Sequence, residues 1–249
     1  MTTAEKPVIL MLHGFFGNPR NWDACAAALS PHARVLVPRL PLFGLHHRRD
    51  RIEHVLQFLG ELLETEKAGH VIAIGNSLGG QLAVNLAVRE PDRIAGLVLT
   101  GSSGLYERNL TNKIQRRPDR DWIRRRCAEI FYDPALVTEE MIDEVQAISR
   151  NRGMALDALL LAKSIRRVSV LELLPQVRCP VLLAWGEDDK ITPPATAHEF
   201  QKLLPDSELI ILPRCGHAAM MEHPAEFAHL VQKFIVRVTD LIPLPPVAP

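Results

Sequence analysis

Cysteine is scarce and scattered. Cys25, Cys127, Cys179 and Cys215 are all that the 249-residue chain holds, without the paired spacings that a zinc site or a disulfide framework needs. Buried free thiols are expected. Excess charge of either sign is also missing, because 29 Lys plus Arg balance 29 Asp plus Glu. Bulk electrostatics therefore point neither to nucleic acid nor to an anionic membrane. No apolar run approaches the roughly 18 residues of a membrane-spanning helix, and the start, "MTTAEKPVIL", has no basic region followed by a signal-length apolar stretch. A soluble, cytoplasmic protein is expected, with no nucleic-acid or membrane partner and with a homodimer left open. Internal repeats are absent.

What is present alternates. Apolar residues make up 47% of the chain and charged residues 23%, ordinary values for a globular domain. Short β-branched or leucine-rich runs are separated by segments of helical period, the pattern of a mostly parallel, doubly wound α/β sheet covered on both faces. Strands are expected near Val8–Leu12, Arg34–Val37, His70–Ile74, Ile94–Thr100, Val181–Trp185 and Glu208–Leu212. Ile52, Val55, Leu56, Leu59, Leu62 and Leu63 recur every three or four residues after Asp50, so one helix face should lie on the sheet, with Asp50 as its cap. From 103 to 174 the strand signal vanishes. A helical insertion is expected there, above the carboxyl ends of the strands where open α/β sheets bind ligands. The resulting division is a core of residues 1–102 and 175–240, a helical lid of 103–174 and a proline-rich tail of 241–249.

One junction stands out. In "IAIGNSLGGQ" a strand runs into Gly75-Asn76-Ser77-Leu78-Gly79 and then a helix from about Leu78 to Arg89. Gly-x-Ser-x-Gly between strand and helix is the pattern of a nucleophile elbow, which holds the serine on a strained bend at the amino end of a helix. A serine hydroxyl is a weak nucleophile alone, so a base and a group to orient that base are required. "AWGEDDKITPP" puts Glu187, Asp188 and Asp189 at the carboxyl end of a buried strand, and "LPRCGHAAMMEHP" puts His217 on the loop after the last strand. The order Ser, Asp, His is that of elbow-type hydrolases.

Through "MLHGFFG", "GNSLGG", "WGEDDKITP" and "CGH", nearly the whole chain resembles the α/β-hydrolase superfamily. The resemblance implies the α/β-hydrolase fold, here without the customary amino-terminal hairpin, and a catalytic triad of Ser77, His217 and Asp189, with Asp188 as the alternative acid. It also implies an oxyanion hole from the backbone N–H groups of Phe15 and Leu78, with His13 structural. The substrate would be a small molecule, and neither metal nor organic cofactor is needed. Ser77 stands where dehalogenases and epoxide hydrolases of this fold carry an aspartate, which disfavours both activities. A serine esterase or thioesterase forming an acyl-enzyme is the leading expectation.

Within the superfamily, Asn76 before the nucleophile and "FYDPALVTEEM" (131–141) are similar to hydrolases that cleave carbon–carbon bonds in ring-fission products. That group commonly carries tryptophan where this chain has Ala218. "PRLPLFGLHH" departs from the usual Asp-x-Pro-Gly-x-Gly loop at Arg39 and Leu42. A small-molecule receptor that keeps the triad is a third reading. Trp22 and Trp185 are expected in the core, and the His46–His47 pair at the surface or near the cleft. Arg108, Lys113, Arg116, Arg117, Arg120, Arg124, Arg125 and Arg126 are opposed locally only by Asp119 and Asp121. They form either a solvated helical face or a site for a carboxylated or phosphate-bearing substrate such as a coenzyme A thioester.

Overall fold

The computed structural model describes residues 6–45, 47–105 and 118–241. Arg108, Lys113, Arg116, Arg117, His46 and the tail from 242 lie outside the described residues. Strands β1 (Val8–Leu12), β2 (Arg34–Leu36), β3 (Val71–Asn76), β4 (Ile94–Thr100), β5 (Val181–Gly186) and β6 (Ser207–Leu212) pair in parallel, in the spatial order β2-β1-β3-β4-β5-β6. The chain moves outward from β1 to β2, then crosses back over β1 to build the rest of the sheet. This reversal puts a topological switch point between β1 and β3, where the carboxyl ends of open α/β sheets leave a crevice.

Both faces of the sheet are buried, and the alternation along each strand shows how. Val8, Leu10 and Leu12 of β1, with Val71 and Ala73 of β3, join one apolar cluster, whereas Ile9, Met11, Ile72 and Ile74 join the other. Helix α2 (Arg51–Thr65) buries Ile52, Val55, Leu56, Leu59 and Leu63 in the first cluster, beside α3 (Leu78–Arg89). Asp50 stands at the cap position of α2, but its carboxylate pairs with Arg48 rather than with the helix amides. The second cluster takes the buried faces of α1 (Asp23–Leu29) and the last long helix. Trp22 and Trp185 are fully buried, as expected of core residues.

Between β4 and β5 the described residues form helices α4 (Arg120–Ala128), α5 (Glu139–Arg150) and α6 (Arg152–Arg167). Ile123, Cys127 and Ile142 make a small apolar centre of their own between α4 and α5. Asp119, Thr138 and Asn151 cap the three helices through side-chain oxygens. The described arginines of this region mostly face carboxylates. Arg120 pairs with Glu139 and Asp143, Arg124 with Glu139, and Arg126 with Glu129 while stacking over Trp122. Arg125 is exposed. Helix α4 is thus tied to α5 by the residues that the sequence left open as an anion site. After β5 come α7 (Pro194–Leu203), α8 (Ala219–Glu222) and α9 (Pro224–Leu241).

Candidate active site

Strand β3 runs two residues past its expected end, so that Gly75 and Asn76 still pair with Leu99 and Thr100 of β4. Ser77 follows at φ 55° and ψ −119°, a left-handed conformation that costs a non-glycine residue about 1–3 kcal/mol. The flanking glycines answer to crowding. A Cβ on Gly75 would sit 2.3 Å from the Gly79 carbonyl oxygen, and one on Gly79 would sit 2.0 Å from that of Leu12. Four backbone hydrogen bonds hold the bend: the Ser77 amide donates to Thr100 O at 3.1 Å, and the Ser77 carbonyl accepts from Gly80, Gln81 and Ser103 at 3.0, 3.2 and 3.1 Å. Ser77 itself stays partly exposed among buried neighbours.

At the end of β5 the chain turns through Glu187 and Asp188 to Asp189, which is 3% exposed. Asp189, not Asp188, meets the histidine, with its Oδ2 2.9 Å from His217 Nδ1. A carboxylate only accepts, so Nδ1 carries the hydrogen and Nε2 is left as the acceptor of the ring. The amides of Ile191 and Thr192 donate to Asp189 Oδ1 at 2.8 and 2.9 Å, and the Thr192 hydroxyl donates to Oδ2 at 2.8 Å. Burial pushes the Asp189 carboxyl up, but electrostatic attraction to the facing His217 ring and the hydrogen bonds from His217 and Thr192 outweigh it and hold the group below the usual carboxylate range.

The His217 ring lies over Gly101, the residue after β4, where a Cβ would be 2.6 Å from its Nδ1. Ser77 bonds to Thr100, the residue before Gly101, so both are held at the carboxyl end of one strand. Asn76 tightens the junction, its side chain donating to Thr100 O at 3.1 Å and to His217 O at 2.9 Å. Among the described residues no hydrogen bond joins the Ser77 hydroxyl to His217.

The loop after β1 closes the other side. At Gly14 the backbone comes so near the elbow that a Cβ there would be 3.3 Å from Ser77 Cβ. His13, 2% exposed, accepts from the Leu40 amide through Nε2 at 3.1 Å, so its Nδ1 bears the hydrogen and donates to Gly14 O at 2.8 Å. Burial lowers the His13 pKa; the Gly14 bond opposes this and the Arg39 charge adds to it. Within this loop and the start of α3, the amides of Phe15 and Leu78 donate to no described residue.

Thr192 escaped the sequence reading, although an Asp whose side chain caps the amides two and three residues on is a recognisable turn. Gln81 was missed too. Its Nε2 donates to Ile165 O at 3.2 Å and to Val168 O, and its Oε1 accepts from Ser103 at 3.0 Å, tying α3 to the end of α6. Rival nucleophiles fare poorly. Burial raises the Cys215 thiol, and the carboxylates of Glu222, Asp189, Glu226 and Asp188 raise it further. Among the described residues no group of three or more His, Cys, Asp or Glu side chains could hold a metal. A depression of about 390 Å³ near His70, Arg89 and Arg93 lies at the amino ends of β3 and β4, away from Ser77.

A buried Asp–His pair and a strained serine thus lie at the carboxyl ends of the strands of one parallel sheet. The chain belongs to the α/β hydrolase family, whose sequence profile matches residues 9–230, and it is an enzyme of the hydrolase class. It is 29% identical over 252 residues to the 2-hydroxy-6-oxo-6-(2'-aminophenyl)hexa-2,4-dienoic acid hydrolase of Metapseudomonas resinovorans, covering 95% of this chain and 86% of that one. It is 30% identical over 243 residues to the pimeloyl-[acyl-carrier protein] methyl ester esterase of Nitrosomonas europaea, covering 91% and 94%. Among solved structures, the α/β hydrolase MGS-MChE2 from a sediment metagenome of the Mar Chica lagoon, Morocco, superposes with a TM-score of 0.75 at 31% identity, covering 94% of this chain and 92% of that one.

Proposed function

We propose that this α/β hydrolase is a serine enzyme that cleaves carboxylic esters or thioesters of small molecules through an acyl-enzyme on Ser77. The 2.9 Å contact between Asp189 and His217, held beside the elbow, carries the reading. In the first step His217 Nε2 takes the Ser77 proton as Oγ bonds to the carbonyl carbon, and Asp189 keeps the imidazole in the required tautomer. The carbonyl oxygen becomes an oxyanion facing the N–H groups of Phe15 and Leu78, each worth about 3 kcal/mol to the transition state. The leaving alcohol or thiol takes its proton from His217. Water then repeats the sequence against the acyl group, restoring Ser77 and releasing a carboxylic acid. Helices α4 to α6 serve as the lid over this cleft, and the reaction proceeds in the cytoplasm.

Cleavage of a carbon–carbon bond in a ring-fission dienoate is the second reading, favoured by the relative named as a dienoic acid hydrolase and by Asn76 before the nucleophile. Comparing turnover of p-nitrophenyl esters with that of such a dienoate separates the two. Ester turnover at least tenfold faster supports the leading reading, and the reverse order replaces it with the second.

A further inference from the structure

His217 is held from more sides than its ring. Its backbone amide donates to Ile130 O at 2.7 Å, so the chain just after α4 passes directly over the loop that carries the imidazole. The approach is close enough to dictate the preceding residue. A Cβ on Gly216 would meet Ile130 O at 2.6 Å, and Phe131 C and Tyr132 N at 2.8 Å each. Phe131 anchors the overlying segment, since it is 2% exposed and belongs to the apolar cluster that also holds Leu212, Cys215, Ala218 and Met220. Burying such a ring contributes about 1.5–3 kcal/mol. Segment 130–132 therefore belongs to the body of the site.

One side chain bridges the two backbones. Glu222, the last residue of α8, accepts the Gly216 amide on Oε1 and the Tyr132 amide on Oε2, both at 2.7 Å. An ionised carboxylate is suited to this place because it offers two acceptors and no donor, and bonds from N–H groups to a charged oxygen are the stronger kind. Glutamine could satisfy only one amide and would turn its NH2 toward the other. We propose that Glu222 is a positioning residue for His217, clamping the 216–217 loop to segment 130–132 so that the imidazole stays in register with Ser77. The proposal rests on the reading of His217 as the base. A displacement of about 1 Å in such a group costs on the order of 100-fold in rate.

The test compares the wild-type chain with Glu222→Gln, using kcat and KM on p-nitrophenyl butyrate and the rate at which a fluorophosphonate labels Ser77. Expected are a fall in kcat of about 10- to 100-fold, a KM within about twofold of wild type and labelling slowed by a similar factor to kcat. Unchanged kcat and labelling would overturn the proposal, as would a loss confined to KM, which would make Glu222 part of substrate binding. A wild-type chain that neither takes the label nor turns over any ester removes the reading of Ser77 as nucleophile and His217 as base, and this proposal with it. Should Glu222→Gln fail to fold, amide exchange in the wild type decides. Slow exchange at both Gly216 and Tyr132 supports the clamp, and open-chain rates at either one overturn it.

Discussion

The side chain of Asn76 donates a 2.9 Å hydrogen bond to the carbonyl of His217, 141 residues away along the chain. Through that contact the residue before the strained serine also holds the backbone of the imidazole. The same amide group reaches Thr100 O, whose strand supports both. The ends of β3 and β4 and the loop after β6 thus share one hydrogen-bonded floor. Buried polar groups in such a floor are expensive to leave unmatched, which favours a single arrangement.

Ser77→Ala is expected to lower kcat by at least about 10⁴-fold with the fold intact, because it removes the attacking oxygen and nothing that packs. Ser77→Gly should lose activity equally yet melt higher than Ser77→Ala. Relief of the left-handed strain, about 1–3 kcal/mol, exceeds the roughly 0.5–1 kcal/mol that glycine gives back in chain entropy. Thermal unfolding of the two variants checks this, and a glycine variant that melts lower would contradict it.

Thr192→Val keeps the shape of the side chain but removes the hydroxyl that donates to Asp189 Oδ2. A hydrogen bond to a charged group contributes about 1.5–3 kcal/mol, so the variant should melt lower. Activity should fall by roughly tenfold, equivalent to about 1.4 kcal/mol, as the carboxylate loses one constraint on its aim at His217. Wild-type kinetics and melting would show that Thr192 is incidental.

Acid should destabilise the protein in two stages. His13 binds its proton less readily when folded, because burial disfavours the charged ring and the Arg39 charge adds to the effect. Its unfolded form protonates near about pH 6.5, so the unfolded chain carries more protons below that pH and stability falls as pH drops toward the folded value. Asp189 adds a second loss at lower pH. Its folded pKa lies below the ordinary carboxylate value, so its contribution is present above that value and disappears as pH falls through the folded one. Melting temperature against pH, in wild type and His13→Gln, tests the first stage. The variant should flatten the decline between about pH 6.5 and 5, and an unaltered slope would clear His13 of the effect.

Much of this architecture was legible because it rests on local patterns. The strand at Val8–Leu12, the strand at Ile94–Thr100 and the helix at Leu78–Arg89 start and end where hydrophobic period and glycine placement put them. The doubly wound parallel sheet follows from that alternation, and the resemblance of the four motifs implied the α/β-hydrolase fold. The order of Ser77, Asp189 and His217 picked out three residues that the structure places around the carboxyl ends of β3, β4 and β5. What stayed hidden depends on partners far away in sequence. Asp50 looked like a helix cap, but Arg48 claims its carboxylate. The arginines of α4 looked available until α5 set Glu139 and Asp143 against them. Glu222 carries no local signal at all, because its two amides come from Gly216 and Tyr132, which only the fold brings together.

The most direct measurement is mass spectrometry of the protein quenched during turnover of a p-nitrophenyl ester. A transient adduct of acyl mass should appear on the peptide containing Ser77, accumulate within the burst phase and persist longer in His217→Ala after forced acylation. Steady ester turnover with no acyl group on Ser77, or with the adduct on another residue, would contradict the account.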